Sequence, residues 1–322
     1  MSKKKIQWIS ILQGMTMLCV VIGHSVFSYN KGYIWHFCYG FHMPLFIFLS
    51  GGLFYLSRVA KEWNSIDVYK DKLVRLGIPY LFFITFGFIM KIIMAGSVKN
   101  KVNISVSSFL TGYLFPSQSA MKEMWFIGTL LCLMLLYPLF KFANRRRWIE
   151  CVLLIVFLLL SVFVQTSYTG GGIFNILGVV RYGVFFYAGI LSFKYNILKD
   201  MNNFWIAVFF LCAYIAICPY RREWGLGVAF VGLVAMISIA LYLSEKYHSL
   251  FSSFRDRTFQ IYLLGIYPQM FIEIFYRHHQ DNLVCFLFCG VLSVLFGIYV
   301  PVLISKFFIR FNLKRLGIII GV

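Results

Sequence analysis

Residues 8–29 read WISILQGMTMLCVVIGHSVFSY and residues 34–57 read IWHFCYGFHMPLFIFLSGGLFYLS, two long runs without one charged side chain. A helix needs about 20 largely apolar residues to cross the hydrocarbon of a bilayer. The two runs therefore predict two transmembrane helices that run in opposite directions. The same reading adds residues 76–96, 123–140, 148–166, 173–193, 203–219, 225–243, 258–275 and 283–308. In lipid a chain has to satisfy its own backbone polar groups, which helices do locally. The expected fold is all-α, a polytopic membrane helical bundle of about ten transmembrane helices. Composition agrees: 61% hydrophobic, 13% charged and a mean hydropathy of +0.81, against about 45–50% apolar and 25% charged in soluble chains. No Gly/Ser/Pro-rich linker divides the sequence, so residues 1–322 read as a single transmembrane domain. Lys3, Lys4 and Lys5 resemble the start of a signal peptide, yet no small-x-small cleavage site precedes the next polar loop. The first run is accordingly read as a retained span.

The net charge of +19 lies between the apolar runs. Positive-inside topology and contact with anionic lipid account for it, so membrane lipid is an expected partner and nucleic acid is not. Assigning alternate loops inward gives 21 basic residues on that side. Seven remain outside: Lys31, Lys99, Lys101, Lys122, Arg221, Arg222 and Arg277. This bias places the N and C termini in the cytoplasm and makes an even number of spans self-consistent. Lys91 and Arg181 fall within spans. The eight cysteines form no CxxC pair and read as small buried hydrophobes.

Polar groups inside apolar runs are costly unless solvated, paired or functional. His24 lies in the outer third of the first span and His42 a few residues into the second, at similar depth. A neutral imidazole can take a proton from a hydroxyl and pass it on, so each is a candidate general base or a hydrogen-bonded packing residue. Ser25 lies about 100° from His24 around a helix, a poor geometry for a nucleophile pair. His24, His36 and His42 lack an acidic companion, and no metal is expected. Lys72 and Arg75 are three apart on one helix face before Pro79 and suit phosphates, anionic lipid or simple topology marking. Arg181 has to pair, snorkel or face a wet cavity, with Glu123 and Glu273 as candidate partners. Gly-Gly-Gly at 170–172 reads as a flexible start to the sixth span. The outward segment 97–122 is either a rim over a substrate cleft or a passive connector.

In matching order, four features resemble the integral-membrane acyltransferase-three family, typified by bacterial polysaccharide O-acetyltransferases. They are Gly14 with Val20-Val21-Ile22-Gly23-His24; Phe41-His42-Met43-Pro44-Leu45-Phe46 with Phe48 to Phe54; Arg75 with Ile78-Pro79-Tyr80; and Trp125-Phe126-Ile127 with Leu135 to Leu139. The resemblance is strongest over residues 8–140. It implies transfer of an acetyl or other short acyl group from cytoplasmic acyl-coenzyme A to a hydroxyl of a cell-envelope sugar or polysaccharide precursor. It implies residence in the bacterial cytoplasmic membrane, alongside polysaccharide-biosynthesis proteins. His24 matches the family's essential histidine, and Arg75, with Lys72 beside it, the arginine that helps hold coenzyme A. Ser10 and Gln13 stand where many members have Asp and Arg, Glu123-Met124 precede Trp125 where relatives often have His, and Gly265 replaces a His. The reading that follows makes His24 the base, with His42 and Arg181 as further catalytic candidates. The alternatives are a transporter or flippase of a lipid-linked sugar and a non-catalytic component of an envelope-polysaccharide assembly.

Overall fold

The computed structural model describes residues 7–94, 103–164, 171–220, 225–279 and 282–321, and among these the regular structure is helical without a strand. Lys3, Lys4, Lys5, Lys99, Lys101, Gly170, Arg221 and Arg222 lie outside the described residues. Each of the ten predicted segments carries helix. Five stretches are long and apolar enough to cross a membrane: Tyr33–Val59, Ser65–Ile93, Ile173–Lys194, Gly225–Lys246 and Leu283–Arg310. A sixth is added if the pair Lys122–Leu135 and Tyr137–Ala143, bent by 48°, counts as one span.

The helices in chain order are α1 (Gln7–Gly23), α2 (Tyr33–Phe54), α3 (Ser65–Lys72), α4 (Ile78–Ile93), α5 (Val106–Leu114), α6 (Trp125–Leu135) and α7 (Tyr137–Ala143). They continue as α8 (Arg147–Phe163), α9 (Leu177–Lys194), α10 (Phe204–Ile217), α11 (Gly225–Lys246), α12 (Thr258–Leu264), α13 (Ile266–Arg277) and α14 (Leu283–Arg310). Two compact units emerge, one joining the chain up to Phe46 with Asn196–Ile320 and the other formed by Ile47–Tyr195.

Local chemistry explains the breaks. α6 ends at Leu135 because Pro138 lacks the N–H that would continue the ladder and its ring crowds the carbonyl four residues back. α3 and α4 are continuous through a π-turn, Leu73–Gly77, where the Ile78 N–H bonds the Leu73 carbonyl five residues back. Pro79 follows at once, and the widened turn gives its ring room against the Arg75 carbonyl. A second π-turn, Tyr55–Val59, closes α2. The described part of the segment 97–122 carries helix: Ser105 caps α5, and Tyr80 of α4 donates its hydroxyl to the Tyr113 carbonyl at 2.6 Å.

In the first unit Met17, Val20 and Val21 of α1 pack with Phe254, Ile261, Ile298 and Val302. Gly265 separates α12 from α13, and a Cβ there would stand 2.7 Å from the Gly297 carbonyl of α14. The backbones meet too closely there for any side chain. In the second unit Phe140 stacks on Tyr187 (5.6 Å, 20°) and packs with Phe157 and Phe186, and Phe186 in turn meets Phe54. α2 and α9 touch backbone to backbone: a Cβ on Gly51 would lie 2.0 Å from the Phe186 carbonyl, and one on Gly189 2.0 Å from the Phe48 carbonyl. Small residues permit such approaches, which are how membrane helices gain packing contact.

Gly51→Ala or Gly189→Ala is expected to lower stability by about 1–3 kcal/mol, at the upper end because backbone atoms cannot step aside. Gly227→Ala, where a Cβ meets nothing within 4 Å, is the neutral control. Melting in detergent micelles checks this, and equal melting of all three variants contradicts the crossing.

Candidate active site

The first cluster grows from the end of α1. The helix stops at Gly23, where a Cβ would stand 2.9 Å from the Tyr39 ring of α2. His24 follows immediately, so it sits at the helix terminus rather than within the helix. Ser25 turns extended, donates its hydroxyl to the Ile22 carbonyl at 2.7 Å and accepts from the Phe27 N–H at 3.3 Å. Its hydroxyl is thus committed to the chain end, in keeping with its poor geometry as a nucleophile.

The Tyr39 hydroxyl lies 3.3 Å from Nε2 and 3.4 Å from Nδ1 of His24. Being nearly equidistant, it can serve either nitrogen after a small ring rotation. The same Tyr39 ring meets His42 edge-on at 4.9 Å and 85°. His42 is 1% exposed, with Nδ1 2.5 Å from the Cys38 carbonyl. A carbonyl only accepts, so Nδ1 carries a proton and donates it in this hydrogen bond. Trp35 packs on Tyr39 at 4.9 Å. Trp35, Tyr39 and His42 recur at helical spacing and line one face of α2.

The structure therefore brings His24 and His42 together through Tyr39, a residue the sequence reading did not single out. Of the two imidazoles, His24 is the half-buried one and His42 the enclosed one. Gln269 of α13 donates to the Val21 carbonyl at 2.7 Å and fixes α1 one turn before His24.

The second cluster lies in the other unit, around Asp71. Its Oδ2 accepts from Arg58 Nη2 at 2.8 Å and lies 3.2 Å from Lys72 Nζ, and its Oδ1 forms an ion pair with Arg75, 2.8 Å from Nε. Arg58 also donates to the Ser57 carbonyl and lies over the Trp63 ring at 3.9 Å. Lys72 and Arg75 thus share a face, as their spacing predicts. The carboxylate joining them, and Arg58 thirteen residues earlier, gave no sequence signal, because the pairing depends on how two chain segments meet.

Arg181 lies on α9, over the Tyr182 ring at 5.9 Å, and Tyr182 in turn stacks on Trp125. Glu273, one of its two candidate partners, pairs with Arg277 at 3.5 Å within α13. Ahead of α9 the backbone is left-handed at Gly171 (φ 116°) and Gly172 (φ 76°), and also at Phe174 and Asn175. The segment expected to be a flexible start is held: Asn175 accepts from the Gly171 N–H at 2.7 Å and donates to Thr129 at 2.8 Å. The most buried carboxylate of the second unit, Glu150, accepts from both Lys194 and Tyr195 and ties α8 to the end of α9. Both its oxygens are engaged, so it serves the fold.

An enclosed imidazole, a half-buried one sharing a phenol, and a separate cation cluster built on one carboxylate are parts suited to acyl transfer. The acyltransferase-three family model, described as an acyltransferase domain, matches residues 6–302. The chain belongs to this family and is a multi-pass membrane acyltransferase. No curated protein and no solved structure matches it.

Tyr39→Phe removes one hydroxyl and keeps the ring. A single hydrogen bond contributes about 1 kcal/mol, so acyl-transfer turnover is expected to fall about fivefold with unchanged melting. Full turnover in this variant removes Tyr39 from the site.

Proposed function

We propose that the chain is an O-acyltransferase, in the first instance an O-acetyltransferase. It moves a short acyl group from cytoplasmic acyl-coenzyme A to a hydroxyl of a cell-envelope sugar or polysaccharide precursor. Its setting in this reading is the bacterial cytoplasmic membrane, crossed about ten times with both termini cytoplasmic. Membrane lipid surrounds it, and polysaccharide-biosynthesis proteins are its proposed neighbours.

The observation that carries the reading is the half-buried His24 at the end of α1, with a hydroxyl-bearing ring against both its nitrogens. One nitrogen of His24 takes the acceptor's hydroxyl proton as the oxygen attacks the acyl carbonyl carbon. The tetrahedral intermediate collapses, the carbon–sulfur bond breaks, and the thiolate leaves. The imidazolium returns the proton to that sulfur, giving coenzyme A thiol and neutral His24. Tyr39 orients the ring, and His42 buttresses Tyr39 from its buried side. Lys72 and Arg75 grip the donor's phosphates as a point charge and a planar fork. Arg181 is the remaining catalytic candidate, a cation for charge that develops during transfer.

Purified protein given radiolabelled acetyl-coenzyme A and an envelope saccharide fraction tests the base. His24→Ala is expected to lose at least about 100-fold in turnover while melting normally, the range for a missing acid–base group. Undiminished transfer sinks the role. Calorimetric titration with coenzyme A tests the grip. Lys72→Ala and Arg75→Ala are each expected to weaken binding about tenfold, in line with charge-assisted hydrogen bonds. A protein that ignores coenzyme A altogether refutes the donor and turns attention to a lipid-linked sugar carrier.

A further inference from the structure

Three cations converge on one carboxylate in the second unit, and they differ sharply in exposure. The Arg58 side chain is 10% exposed and that of Lys72 16%, whereas that of Arg75 is 69% exposed. Arg58 is fixed from several directions: the Ser57 carbonyl, the Trp63 ring and Asp71. Trp63 is itself held, its carbonyl accepting from Tyr137 at 2.7 Å and Lys141 at 3.0 Å. Asp71 is consequently pinned by a neighbour that does not move with α3. From that fixed point it pairs with Arg75 at Nε, on a side chain that is 69% exposed as a whole. The two Nη groups of a guanidinium form an edge that can pair with two phosphate oxygens.

Charge points the same way. Arg58 and Asp71 form a buried pair that cancels, so the positive charge of Lys72 and Arg75 remains available to an anion. Without Arg58, Asp71 would neutralise one of the two. Both arginines also sit in π-turns, Tyr55–Val59 and Leu73–Gly77, a local geometry frequent at functional sites.

We infer that Asp71 is the positioning residue of the phosphate grip: anchored by Arg58, it holds Lys72 and Arg75 in the arrangement that receives the phosphates of the acyl donor. This rests on the proposal that acyl-coenzyme A is that donor. Two physical views of the cluster predict opposite outcomes for Asp71→Asn. If charge alone mattered, the variant would bind the donor's phosphates more tightly, because a negative group has been removed. If position matters, it binds them less tightly, because the fork and the ammonium lose their common anchor.

The experiment measures thiol release from acetyl-coenzyme A and from S-acetylpantetheine, which lacks every phosphate, with an envelope saccharide fraction as acceptor. Asp71→Asn is expected to raise the KM for acetyl-coenzyme A about tenfold, the scale of lost charge-assisted bonds. Its kcat should stay within about twofold, and its KM for S-acetylpantetheine should equal that of the unaltered protein. Asp71→Glu, which keeps the charge on a longer arm, should recover part of the loss. An unchanged or lowered KM for acetyl-coenzyme A overturns the inference, as does an equal loss with both donors, which is how a damaged fold would behave. If the unaltered protein itself does not distinguish the two donors, the phosphate grip fails and Asp71's role falls with it.

Discussion

A polar group enclosed among apolar helices has no water to turn to, so it has to find its partner within the chain. Much of the architecture follows from that. His42 donates its Nδ1–H to a carbonyl one turn earlier in its own helix. Asn175 bridges Thr129 and the backbone at Gly171. Glu150 occupies both oxygens with Lys194 and Tyr195. Asp71 absorbs three cations. The last three fix one segment against another and help decide which helices meet.

Glycine complements this satisfaction of polar groups. With little hydrophobic driving force between helices in lipid, contact has to come from close packing. The contacts Gly51 to Phe186 and Gly189 to Phe48 bring α2 and α9 within backbone reach, and Gly265 does the same for α12–α13 against α14. Glycine at position 265 is thereby a packing feature. A side chain there would have to displace the Gly297 carbonyl.

The chemistry divides along similar lines. His24 owes its partial exposure to the helix ending one residue before it, and its orientation to a phenol from the next helix. Lys72 and Arg75 owe theirs to a carboxylate that Arg58 immobilises. In the proposed reaction neither the base nor the phosphate grip sets its own position; a neighbour that touches it does. Enzymes commonly arrange preorganisation in this way, since a group held by packing need not be ordered during the reaction.

Hydrophobic run length made the helical segments legible, because the thickness of a bilayer imposes a length on every span. The shared face of Lys72 and Arg75 was legible from helical spacing, and the unsuitability of Ser25 beside His24 from the angle between neighbours. The end of α1 at Gly23, the helix within 103–122 and the left-handed residues at 171, 172, 174 and 175 were not, since each depends on what packs against it. Tyr39, Asp71 and Arg58 were hidden for the same reason: a tyrosine in an apolar run and an aspartate in a basic one look ordinary until their partners are known. By itself, then, the sequence determined the class of fold, the placement of helices and the residue types able to do acyl transfer, because these rest on local composition and periodicity. Only the tertiary structure decided which imidazole is enclosed, which phenol faces both, and which carboxylate gathers the cations, because these depend on distances between segments far apart in the chain.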